Sequence, residues 1–296
     1  MKRKLIKQGG GGLTLYVPKK WVDFNNLNSG DELNIQEEDN KLILQTSDFS
    51  KQKKSTVLHV ETGNSNEISL IRSFYRAGYD EIIIKYQAPE LLQKLQKAVD
   101  SLYGFEIFDI SANSCKMKSL YHGDSSDIHS HFNRLIHSIN LIKSTIKEDL
   151  RNKKFDSKQI LEYKNNVFKQ RDLISRIIHD QKLFGLDYFP YYLLAYNLST
   201  IARNYYFIYE NISKKKVISK ESLNYLEETN IFFDLFFKNI KTLNSLKLYK
   251  RYIQHIELGN KLINNKKQSS LIVSYCLFIT QTINSCDVHI LNHFNS

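Results

Sequence analysis

The sequence predicts a multidomain α+β protein with a β-rich N-terminal unit, a small α/β layer and a C-terminal region of six helices. Three observations carry that reading. Short alternating runs punctuated by glycine and acidic turns fill residues 4–45. Strand-like and helix-like periods then follow in the order βαβαββ over residues 56–121. From Asp124 onward the apolar residues recur at helical spacing, interrupted at short polar breaks.

The N-terminal unit opens with KLIKQGGGGLTLYVPKKWV, in which four glycines separate two β-forming runs, residues 4–8 and 13–17. No Gly-Lys-Ser/Thr triplet opening a helix follows the glycines, so a nucleotide loop of the Walker type is not expected. Pro18 opens a short helix through Trp21 and Phe24, and Ser29-Gly30-Asp31 is a turn. Strands at 32–36 and 41–45 are joined across Glu38-Asp39-Asn40, which suits a tight hairpin. A unit of under about 50 residues cannot bury enough surface by itself and is expected to pair with a second copy.

Charge is unevenly placed. The chain of 296 residues has a formal net charge of +11 and a pI near 9.3, which favours nucleic acid or an anionic surface and also fits a merely lysine-rich protein. Lys2, Arg3, Lys4, Lys7, Lys19 and Lys20 occur with no acid among the first twenty residues. Asp31, Glu32, Glu37, Glu38 and Asp39 come just afterwards, which leaves one edge of the unit basic and the other acidic.

Residues 49–56, DFSKQKKS, read as a polar linker. Beyond it a strand at 56–61, a helix at 67–77, a strand at 81–85, a helix from Pro89 to Gly104 and strands at 105–111 and 115–121 make up the α/β layer. Gly78 and Gly104 read as helix C-caps, Tyr75 and Tyr79 as packing residues, and His59 as a strand residue without sequence partners. Helices are expected from Ile128 past Ile142 and at 159–183, 191–211, 220–246, 250–263 and 269–293, arranged as two antiparallel three-helix bundles. Phe232, Phe233, Phe236 and Phe237 belong to their core. The domain boundaries are therefore 1–48, 49–56 for the linker, 57–122 and 124–296.

Cys115, Cys276 and Cys286 form neither a disulfide framework nor a zinc spacing, so a reducing cytoplasm is the simplest setting. The start MKRKLIKQGG has no apolar signal core, and the apolar run at 271–280 is too short to span a bilayer. Neither secretion nor membrane insertion is expected. His129 and His131 face different ways on a helix, and Asp127 with His131 makes an i, i+4 pair without a third ligand, better read as a solvated helix start. No nucleophile, base and orienting acid group together, so no enzyme, no cofactor and no metal site are expected.

Residues 2–46 resemble a SpoVT-AbrB domain, the swapped-hairpin DNA-binding module, in their basic first strand, glycine turn, Pro-Lys-x-Trp-Val, Gly-Asp turn and final hairpin. The resemblance implies a homodimer, or a higher oligomer, in which two chains interleave into one β-barrel and bind double-stranded DNA. It points to Arg3, Lys4 and Lys7 and to Lys19 and Lys20, and glycine's missing side chain adds the expectation that a bare backbone at Gly9, Gly10, Gly11 and Gly12 approaches a phosphate. A plain hairpin turn is the alternative use of the glycines, and a solvated surface the alternative use of the lysines.

SFYRAGYDEIIIKY at 73–86, LYGFEIFDIS at 102–111 and the helices after them resemble the archaeal PhoU-like regulators, where a SpoVT-AbrB domain precedes a PhoU-type helical domain. That likeness implies a cytoplasmic transcription regulator linked to phosphate uptake, with a possible protein partner in phosphate signalling. The alternative is an adaptor that controls a transporter or kinase and uses its N-terminal domain only to dimerise. One departure stands out. The family's paired carboxylates four residues apart are missing, since Asp172 is followed by Arg176 and Arg203 lies where an acid would be expected.

Overall fold

A computed structural model describes residues 2–8, 12–38, 41–46, 53–61, 65–121, 128–180, 189–216, 218–238, 245–264 and 270–286. The chain is a mixed α+β protein with small sheets and a C-terminal helical region, and it divides into two compact units, Met1–Gln52 and Lys53–Ser296.

In the first unit β1 (Ile6–Gln8) pairs antiparallel with β2 (Gly12–Thr14), placing Ile6 opposite Thr14 and Lys7 opposite Leu13. Helix α1 (Lys19–Phe24) follows Pro18, whose extended backbone and missing N–H suit it to the position before the first turn. Gly30 turns the chain at φ +102°, which a side chain would resist, and Asp31 accepts the Asn28 N–H at 2.6 Å. Strands β3 (Leu33–Glu38) and β4 (Lys41–Thr46) form a second hairpin, closed by the Glu38–Lys41 pairing over two residues that lie outside the described set.

The expected barrel is one that two chains build together, and a single chain shows only its hairpins. The two hairpins make separate two-stranded sheets, and among the described residues no sheet closes on itself and no strand of one hairpin pairs with a strand of the other. The first two strands are also shorter than expected, with residues 15–17 outside any ladder.

In the second unit the predicted βαβαββ order is present. Strand β5 (Ser55–Val60) and β6 (Glu81–Tyr86) run parallel, joined by α2 (Ser65–Arg76). Helix α3 (Leu91–Asp100) leads to the hairpin of β7 (Phe105–Ser111) and β8 (Ser114–Ser119), and the sheet order is β5-β6-β8-β7. The inward faces of β6 and β8 bury Ile82, Ile84, Cys115 and Met117 in one core with Ile71 and Tyr75 of α2 and Leu95 and Val99 of α3. Strand β5 begins at Ser55, inside the segment expected to be linker, because the Lys54 carbonyl already accepts the Asp80 and Glu81 N–H groups. Helix α3 stops at Asp100 rather than at Gly104. Gly104 instead turns the chain at φ +62°, with Tyr121 so near that a Cβ would lie 2.6 Å from its own Cβ.

Six helices follow among the described residues: α4 (Ile128–Asn152), α5 (Ser157–Asp180), α6 (Phe189–Lys215), α7 (Lys220–Lys238), α8 (Ser245–Asn264) and α9 (Ser270–Asn284). Helix α8 starts at Ser245, within the span expected for the helix before it. Helices α4, α5 and α6 pack on one another, α9 packs against α7 and α8, and α6 joins the two groups through α9. Their shared core includes Phe232, Phe233, Phe236 and Phe237, as their spacing predicts. Burial pushes the Cys115 thiol up to about 11 and those of Cys276 and Cys286 up to about 12, so all three stay protonated at neutral pH. No described helix is long and apolar enough to cross a membrane.

His255 of α8 is buried, stacked at 4.1 Å on Tyr225, and shares a hydrogen bond with Thr229 at 3.0 Å. Desolvation, only partly offset by Glu228, lowers its pKa to about 4 from an ordinary 6.5. The folded state therefore holds it neutral. The stability this contributes is complete above pH 6.5 and is lost as pH falls from there to about 4, on the order of 3 kcal/mol. Urea unfolding across that window is expected to show this loss, and His255→Gln is expected to reduce the slope; an unchanged slope would refute the assignment.

Candidate nucleic-acid interface

The basic residues singled out in the sequence sit in the first unit, on elements that hold them outward. Arg3 and Lys4 lie in the segment just before β1, Lys7 lies within β1, and Lys19 and Lys20 open α1. All five are exposed, and among the described residues none has an ion-pair partner. The hairpin register puts Lys7 across from Leu13 on one face, opposite the face of Ile6 and Thr14. Gly12 begins β2 with open space where a Cβ would stand. Gly9, Gly10 and Gly11 lie outside the described residues.

Several apolar residues of this unit are left exposed. Leu33, Ile35, Leu42 and Leu44 share one face of the β3–β4 hairpin, yet Ile35 is 64% and Leu42 67% exposed. Leu13, Tyr16 and Phe24 are exposed as well, Phe24 at 85%. Among the described residues, the two hydrophobic cores lie in the second unit.

The stretch that would carry paired acids in a PhoU-type domain has a different construction. Asp172 is buried, with its Oδ1 accepting Arg171 Nη2 at 2.6 Å and Arg76 Nη1 of α2 at 3.3 Å. One turn along α5, the Arg176 side chain is fully buried and donates to the carbonyls of Tyr75 at 3.1 Å and Tyr79 at 2.7 Å, and to Asp80 Oδ1 at 2.9 Å. These two side chains dock α5 onto α2 and the turn after it. Sequence spacing alone could not find this, because Asp80 lies far from Arg176 along the chain. The missing acid was visible; the buried arginine's partner was not.

His131 corrects another expectation. It is buried rather than solvated, with Nδ1 2.8 Å from Gln170 Oε1 and its ring edge-on to Tyr103. His129 is exposed beside Tyr191, and Asp127 lies outside the described residues. No group of three His, Cys, Asp or Glu side chains arranged to hold a metal ion occurs among the described residues. Comparison of the chain with known protein families, curated proteins and solved structures finds no match.

Proposed function

We propose that the protein is a dimeric, non-enzymatic DNA-binding transcription regulator, cytoplasmic, with the first unit on the duplex and the helical region relaying a signal. The link to phosphate uptake comes from the sequence resemblance. The observation that carries the reading is the pairing, in one small unit, of unneutralised cations with apolar hairpin faces that one chain leaves bare. A second copy covers those faces, supplies a partner for residues 15–17, and doubles the basic surface. Each lysine or arginine that meets a phosphate releases counterions, which gives affinity without sequence choice. Arginine can add base readout in the major groove.

The test is sedimentation of the purified chain with and without a short DNA duplex. The free protein is expected to run as twice its 34.8 kDa mass and to shift again on binding the duplex. A chain beginning at Lys53 is expected to lose both properties, because the second unit keeps its own cores while lacking the bare hairpins. Full-length protein that stays monomeric, or a dimer that ignores DNA at low salt, would overturn the reading.

A further inference from the structure

Between α4 and α7 runs a groove of about 860 Å³, in the range of small-molecule sites. These two helices are not closely packed on each other, and the gap between them falls at the junction of the two helix groups. A salt bridge crosses it. Lys143 Nζ, on a side chain only 9% exposed, holds Asp234 Oδ1 at 2.6 Å and lies 4.3 Å from the centre of the Phe233 ring. Asn230 is fixed by the Tyr205 hydroxyl, which donates to its Oδ1 at 2.8 Å.

The remaining lining has two characters. Ile146, Leu150, Leu223 and Leu226 give it an apolar wall, with Ile231 exposed at its edge. Lys147 and Arg151 follow Lys143 at four-residue steps and so line the same side of α4. Both are exposed, and neither has an ion-pair partner among the described residues. Glu227 is the one acid of the lining besides the already paired Asp234. An occupant must therefore satisfy an apolar wall and two uncommitted cations together.

We propose that this groove binds a small amphipathic carboxylate, its apolar body on the leucine and isoleucine wall and its carboxylate on Lys147 and Arg151. Neither half is enough alone. A simple inorganic anion would leave the wall wet, and a neutral apolar molecule would leave the two cations unused. Charge-assisted hydrogen bonds from both cations fix the headgroup, and burial of the chain supplies the rest of the affinity. The site touches both helix groups, so its occupant would bear on how they meet. The proposal supplies the helical region with a ligand class and stands apart from DNA binding, which uses the other unit.

The test is calorimetric titration of the full-length chain with decanoate, with decan-1-ol and inorganic phosphate as controls. Decanoate is expected to bind saturably with one site per chain, at least about tenfold more tightly than either control. Lys147→Ala with Arg151→Ala is expected to weaken decanoate about tenfold or more, and Ile231→Glu, which sets a carboxylate at the edge, to do the same. All three positions are exposed, so the variants keep the fold, checked by an unchanged melting temperature. Absence of saturable binding, or equal binding of decan-1-ol, overturns the proposal. So does a double variant that binds as well as the parent. DNA binding by these variants, with no ligand present, is expected to match the parent, which separates failure of this site from failure of the DNA reading.

Discussion

Replacing Arg3, Lys4 and Lys7 with alanine is expected to weaken duplex DNA binding at least about a hundredfold at moderate salt while leaving the dimer folded. The fold survives because all three side chains are exposed and none makes an ion pair within the described residues. Surface substitutions of this kind change stability by only about 0.5 kcal/mol. Binding does not survive, because a dimer loses two copies of each cation. If each meets one phosphate, the slope of log affinity against log salt falls by roughly five. Lys19→Ala with Lys20→Ala is expected to have the same kind of effect on a smaller scale. The measurement is fluorescence anisotropy of a labelled duplex at several salt concentrations. A triple variant with the parent's affinity and slope would place the DNA face elsewhere.

Arg176→Met is expected to be the most destabilising single change in the second unit, costing about 3–5 kcal/mol. The guanidinium is fully buried and donates to Tyr75, Tyr79 and Asp80, and its centre lies 5.0 Å from the Tyr75 ring. Without it, the buried Asp80 loses the cation beside its carboxylate, while the Lys54 N–H still donates to it at 3.2 Å. The carbonyls of Tyr75 and Tyr79 also lose the guanidinium, although that of Tyr75 keeps the Gly78 N–H at 3.0 Å. Against a typical total stability of about 5–15 kcal/mol, that is a large fraction. Adding Asp80→Asn should recover part of the loss, since an uncharged amide is cheaper to hold in the interior without a cation beside it than a carboxylate. Arg76→Ala is the contrasting control. It is about a third exposed and Asp172 keeps Arg171, so the cost should be on the order of 1 kcal/mol or less. Urea unfolding measures all three. An Arg176→Met protein as stable as the Arg76 variant would show that the buried pair is not what fastens α5 to the α/β layer.

The sequence was most legible where a single period dominates. The stripe Ile128, Phe132, Leu135, Ile139 and Ile142 of α4 is buried as its spacing requires, and so are the four phenylalanines of α7. The alternation in β6 and β8 likewise places Ile82, Ile84, Cys115 and Met117 inside. Boundaries were less legible where the deciding contact is remote or local competition is close. Ser101 ends α3 by bonding back to the Ala98 carbonyl, while Gly104, the obvious stop, serves a turn against Tyr121. Exposure of the first unit's cations could be read from the charge pattern. The Arg176 anchor and the α4–α7 groove could not, because each depends on residues brought together from distant parts of the chain.

The three thiols have a use that their inertness makes possible. Cys115 lies in the core of the α/β layer, and Cys276 and Cys286 lie in the core of the helices, each protonated and shielded from reagents. Reaction of a thiol then requires its own core to open. The chain thus carries an intrinsic clock for each core: the rate at which Cys115 becomes labelled, set against the rate for the helical pair, tells whether the two cores breathe together or apart.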